Sequence, residues 1–320
     1  MRRYLLRRLA ISIPVLIGIS IFTFAMVAVA PGNAVTAMIN PESAGMLGPD
    51  WVKQQEAKLG LDQPLPIRYL RWSEQILKGN LGYSAADQQP ISKKIGVRIK
   101  PTLLLMGTAL LISLLIALPV GVLSAIKQYS IIDYLATILG FAAISIPSFF
   151  LALAGIFIFG LKLGWLPVAG MHTIGGRDTF GDLIHHLLLP AFVLGLANAA
   201  PLIRYIRSSM LEVIHQPYVS VARAKGLSER VVISRHAARN ALIPVITVVA
   251  LALPSLLGGT VIIETIFAWP GMGQLAITAV RGRDFPMILA LNLLIATLIL
   301  LCNLLADLLY GVVDPRITYS

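Results

Sequence analysis

Six uncharged, strongly apolar runs alternate with polar stretches along the chain: Leu9–Ala30, Thr102–Ile126, Tyr134–Leu161, Leu187–Ile203, Ala241–Ile263 and Met287–Leu305. A helix needs roughly 20 such residues to cross a bilayer core, so the pattern predicts an all-α integral membrane protein with six transmembrane helices. The polar segment after the first run carries its own helix signals. Pro49–Leu59 closed by Gly60, and Pro66–Lys78 closed by Gly79, each have proline near the start and glycine past the end. Tyr69, Trp72 and Ile76 fall on one face of the second, which predicts a small cap folded onto helix ends rather than a tether.

Composition and charge place these runs in a membrane and orient them. Only 13% of the 320 residues are charged, against roughly 25% in an ordinary soluble domain. The net charge of +11 sits in short clusters beside apolar runs, which reads as membrane topology rather than nucleic-acid binding. Arg2, Arg3, Arg7 and Arg8 precede the first run, and Arg204, Arg207, Arg223, Lys225, Arg230, Arg235 and Arg239 lie between the fourth and fifth. Even numbers of crossings separate these clusters from each other and from the C-terminus, so both termini and the 204–240 loop are expected on the cytoplasmic side. The resulting organisation is a tail and first span (1–30), an external cap (31–100), a five-helix core containing loop 204–240 (101–311) and a cytoplasmic tail (312–320). MRRYLLRR followed by an apolar run ending in AVA mimics a signal peptide, but Leu9–Ala30 is longer than a signal core and is expected to be retained. The single cysteine, Cys302, lies in the last run and forms no disulfide framework.

The runs carry almost no ionisable side chains, unlike those of most ion-driven carriers. Glu264 and Asp307 stand near helix ends, where structural hydrogen bonds are the expected role. His185 and His186 are adjacent, His172, His215 and His236 are dispersed, and none belongs to a metal motif. Neither a nucleophile elbow nor a phosphate-binding glycine loop is present. No catalytic, cofactor or metal site is expected in this chain. Pro119, Pro147, Pro190 and Pro254 interrupt the runs. With Ser145 in the SIPS segment, Pro119, Pro147 and Pro254 are candidates for lining and kinking a passage.

One segment departs from this pattern. YVSVARAKGLSERVVISRHAARNALIP, from Tyr218 to Pro244, mixes basic and small residues. Pro217 can open a helix that Gly226 ends in a left-handed conformation, and Ser228 can cap a second from Glu229 to about Arg239. Ala222 and Ala224 permit close approach, with Arg223 and Lys225 beside them. A helix–turn–helix that seats in a partner's groove fits this better than a membrane anchor, which needs neither paired helices nor a glycine break.

ARAKG followed by RHAARNALIPV resembles the cytoplasmic coupling loop of permease subunits in ABC importers of the peptide/nickel class. The likeness extends to MRRYLLRRLAISIPVLIGIS, LGLDQPLPIRYLRW, GNLGYS, HLLLPAFVLG, RSSMLEVIHQPY, ETIFAWPGMGQ, RDFP and DLLYGVVDPRI. The resemblance implies the core of a type I ABC importer permease, with Tyr218, Ala222, Arg223, Ala224, Lys225, Gly226, Ser228, Glu229, His236, Arg239 and Asn240 in the ATPase-coupling loop. Trp269, Pro270, Gly271, Gly273, Asp314, Pro315 and Arg316 match family motifs. Ser220–Val221–Ala222 stands where the broad importer motif has Glu-Ala-Ala, and Asn33 and Asn80 stand where the family often has aspartate. The implied partners are a second homologous permease, two cytoplasmic ATPases holding ATP and magnesium, an external binding protein or lipoprotein, and membrane lipid; no nucleic acid is implied. The implied location is a bacterial or archaeal cytoplasmic membrane. Di- or oligopeptides are the implied cargo, with nickel complexes, glutathione-like molecules and oligosaccharides as alternatives. A self-sufficient secondary transporter or channel, and a scaffold without a passage, remain the readings from other classes.

Overall fold

The computed structural model describes residues 2–30, 49–58 and 60–313; Asn33, Asp314, Pro315 and Arg316 lie outside the described residues. The fold is helical: α1 (Arg2–Val29), α2 (Pro49–Lys58), α3 (Leu65–Leu77), α4 (Ile91–Ile126), α5 (Ile131–Ser145), α6 (Ser148–Lys162), α7 (Phe180–Ile214), α8 (Pro217–Ala224), α9 (229–241), α10 (Ile243–Ile266), α11 (Met272–Arg281) and α12 (Phe285–Val313). Among the described residues the only β pairing is an isolated bridge between Tyr83 and Pro90. Within α1, α4, α7 and α12 lie stretches long and apolar enough to cross a membrane, and the bent pair α5–α6 counts as a fifth. The remaining apolar run forms α10, whose 24 residues span about 36 Å at 1.5 Å per residue.

The third run differs from the single kinked span expected of it. It breaks into α5 and α6, bent by 103°. Pro147 is the reason. It has no N–H to donate and drives the preceding residue out of helical space, and Ile146 accordingly sits at φ −85°, ψ 122°. Pro147 then becomes the residue before α6, its carbonyl accepting from Phe150 at 2.9 Å. Pro119 and Pro254 act differently, since α4 and α10 run through them without a break. The fourth run is likewise longer than expected. Arg204 and Arg207 belong to α7, not to a loop.

The chain packs as two compact units, one comprising Thr102–Trp269 and the segment from Leu301, the other Arg2–Pro101 and Pro270–Leu300. In the first unit, α7 is the central helix. Leu187, Leu189, Val193 and Leu194 pack with Leu105 and Ala109 of α4, Ala152 of α6, and Ile263, Phe267 and Trp269. Further along, Leu202, Ile206 and Met210 pack with Ala117 and Ala125 of α4, Ala237 and Ala241 of α9, and Val245 of α10. Small residues let the helices close. A Cβ on Gly195 would lie 2.8 Å from the Ala109 carbonyl oxygen, and one on Gly121 would lie 2.8 Å from Ile206. Lipid-embedded helices associate through such close packing because burial from lipid yields no hydrophobic gain.

In the second unit, α3 docks on α1 as the cap pattern predicts. Tyr69 meets Phe24 edge-on and Trp72 lies tilted against it, and Tyr69 shares a 2.8 Å hydrogen bond with Ser20. Ile91 and Ile95 pack with Met272, Leu275, Met287 and Leu291.

Gly195→Val should cost about 1–3 kcal/mol through overpacking against α4, read as a lower thermal midpoint in detergent. Gly107→Ala, where a Cβ meets nothing within 4 Å, should leave the midpoint unchanged or raise it.

Candidate functional site

The segment singled out in the sequence folds as the expected helix–turn–helix. Pro217 opens α8, and Gly226 adopts φ +76°, a region that costs residues bearing a Cβ. Its N–H donates to Arg223 O at 2.9 Å. The second helix begins at Glu229, widens to a π-helix over Val232–Ala238 and closes at Arg239–Ala241.

Five side chains hold the two helices together. Val219, Ala222 and Val232 form a separate buried cluster, and Arg223 Nε donates to Glu229 Oε1 at 2.7 Å across the turn. Two readings of the sequence change here. Ala222 faces inward, so its small size serves packing within the turn and not close approach of a partner. Ser228 occupies the residue before α9, yet its side chain makes no capping bond; its backbone carbonyl accepts instead from Val231 and Val232. The outer surface is formed by Tyr218, Val221, Leu227 and Val231, all exposed, together with exposed Ala224, Lys225 and Arg239. His236 is half-buried, and its carbonyl accepts from Asn240 Nδ2 at 2.8 Å.

The element is braced from behind. Ala237 and Ala241 are fully buried against Ile206 and Met210 of α7 and Ala117 and Ala125 of α4. A surface of apolar and basic side chains therefore stands on a support continuous with the membrane helices. That surface sets cations beside apolar side chains.

Other motif residues serve structure. Trp269 is fully buried beside Phe267, and its N–H donates to Glu264 O at 2.8 Å. Gly271 precedes α11, whose first turn contains Gly273; Pro270 is half-buried. Three polar pairs have partners that spacing does not predict, although a structural hydrogen bond was expected of Glu264. Arg207 grips Asp133 with Nε–Oδ1 at 2.6 Å and Nη2–Oδ2 at 2.8 Å. Thr102 Oγ1 donates to the buried Glu264 carboxylate at 2.6 Å. Ser84 Oγ donates to Asp284, which also accepts from Ala85 N at 2.9 Å. This last pair joins GNLGYS to RDFP, two of the segments that carry the family resemblance. Nearby, the Lys94 ammonium hydrogen-bonded to Asp87 holds that carboxyl below its usual range. Asn80 closes its turn by accepting from Gly82 N. His172 comes beside Asp182 (3.2 Å), while His185 and His186 bond backbone carbonyls. Among the described residues no cluster is arranged to hold a metal. Ser145 ends α5, and Pro119, Pro147 and Pro254 lie in or beside separate helices.

Comparison with known proteins adds a frame. The family described as binding-protein-dependent transport system inner membrane component matches residues 117–319, and its N-terminal counterpart matches 1–106. The chain is 42% identical to the oligopeptide transport system permease protein AppB of Bacillus subtilis (strain 168) over 320 residues, all of both chains. It is 39% identical to the dipeptide transport system permease protein DppB of Escherichia coli (strain K12), again over all of both chains. Among solved structures, an inward-facing MetNI methionine ABC transporter aligns with a TM-score of 0.56 at 18% identity, covering 69% of this chain and 96% of that one. That likeness concerns the fold.

Gly226→Val should destabilise the turn by about 1–2 kcal/mol through the left-handed strain, and Ala222→Glu should open the Val219–Val232 contact. Hydrogen exchange should rise across 217–232 in both variants and stay unchanged in the middle of α7. Gly226→Asn, whose side chain tolerates positive φ, should show the smaller rise.

Proposed function

The chain belongs to the family of binding-protein-dependent transport system inner membrane components, and from that premise we propose that it forms half of the translocation path of an ATP-driven importer of di- and oligopeptides. Full-length similarity to relatives named for oligopeptide and dipeptide transport supports the cargo. The observation that carries the reading is the braced helix–turn–helix, which offers a partner an apolar, basic surface on a support packed into α4 and α7.

In this reading ATP and magnesium are held by two separate cytoplasmic ATPases, and a second homologous permease completes the path. An external binding protein or lipoprotein delivers peptide. Closure of the ATPases around ATP displaces α8 and α9, and the displacement passes through Ile206 and Met210 into α7. Such coupling requires that the two states differ in their contacts with the ATPases. The termini and 217–241 are cytoplasmic and the cap is external, as the short basic clusters direct.

Gly226→Val should leave membrane insertion intact while lowering peptide uptake and recovery of the ATPases with the permease, because neither apolar runs nor basic clusters change. Uptake and co-purification at wild-type level in both Gly226→Val and Ala222→Glu would remove this element from coupling. In a Cys302-free background, an impermeant thiol reagent added outside should label cysteine at Ser92 and not at Ser228; labelling of both would refute the orientation.

A further inference from the structure

A cavity of about 220 Å³ lies within the first unit, walled by α4, α5 and α7. Its lining is graded. At one end stand Arg204, Arg207, Ser124 and Thr137; toward the other run Gly140 and Ile144, one stripe of α5 at helical spacing. The polar end adjoins the α4–α5 turn, where α5 begins, and the apolar end points along α5 toward the Pro147 break.

Two groups at the polar end are suited to an anion. Ser124 is wholly buried, and its Oγ has no hydrogen-bond partner within the protein, an arrangement that folded chains avoid. Arg207 is neutralised by the paired Asp133 carboxylate, whereas Arg204 forms no ion pair among the described residues and leaves one surplus cation. At the apolar end, Ile144 is exposed, and a Cβ on Gly140 would meet nothing within 4 Å. The two ends together fit an anion that accepts hydrogen bonds and carries a hydrocarbon tail. A neighbouring apolar helix would cover Ile144 but leave Ser124 and Arg204 unmet.

We propose that this cavity binds an anionic phospholipid, with the phosphate taking the Ser124 hydroxyl and the Arg204 guanidinium, and an acyl chain lying along Gly140 and Ile144. Such a lipid would fill the angle between α5 and α7 beside the Asp133–Arg207 pair, on the membrane helix that bears the coupling element. Basic pockets between membrane helices recognise headgroups in this way.

The test is native mass spectrometry of the intact transporter, released from nanodiscs containing phosphatidylglycerol, with phosphatidylcholine nanodiscs as the second arm. The wild type should retain phosphatidylglycerol in preference to phosphatidylcholine. Arg204→Gln should lower that retention about fivefold, the weight of one basic residue at an anionic surface. Gly140→Leu, which fills the tail path and alters no charge, should lower it as well, with the ATPases still attached. Excess inorganic phosphate should not displace the lipid. Equal retention of both lipids, displacement by free phosphate, or wild-type retention in both variants would overturn the proposal. So would loss of the second permease in the variants with the lipid count unchanged, since the face would then be a subunit contact.

Discussion

The close approach of α4 and α7 at Gly121 and Gly195 is the constraint on which the first unit depends. Surrounded by lipid, two helices gain nothing by hiding Leu from water, and their association relies on dispersion at short range. Glycine at both crossing points gives that range, and Ala109, Ala117 and Ala125 continue it along α4. Because α7 is held there, Ile206 and Met210 occupy fixed positions, and α9 seats on them through Ala237 and Ala241. The placement of the helix–turn–helix is thus inherited from glycine contacts between α4 and α7, one of them on Ile206 itself.

Polar pairs complete what packing begins. Asp133 and Arg207 tie the start of α5 to α7, a full helix length before the chain breaks at Pro147, and Thr102 ties α4 to Glu264 at the far end of α10. Buried charges of this kind are costly to leave single. They fix which helices pair, and in a bundle without a hydrophobic drive that selection matters. The break at Pro147 is accordingly a defined bend between two anchored helices.

Much of this was legible in the sequence. Four of the six apolar runs form single helices where expected, and Pro217, Gly226 and the aromatic face of α3 take their expected places. The failures were tertiary. Nothing in the spacing of Ala222 distinguishes a residue facing Val219 and Val232 from one facing a partner, because both positions favour small side chains. Pro147 and Pro119 carry the same backbone lesion, yet only Pro147 breaks its helix. Arg204 and Arg207 looked like the loop because charge marks the end of hydrocarbon, while α7 continues past that level to Ile214. The Ser84–Asp284 and Asp133–Arg207 pairs join distant segments that no periodicity connects.

The central claim is that the helix–turn–helix and α7 move as one body. Spin labels at Ser208 on α7 and Ser228 in the turn, both exposed, report on it directly by pulsed dipolar spectroscopy in an assembly shown to hydrolyse ATP. The account predicts one narrow distance distribution, unchanged between nucleotide-free and ATP-trapped states. A distribution that shifts or broadens when ATP is trapped would mean that the turn swings independently of α7, and the mechanical link described here would be wrong.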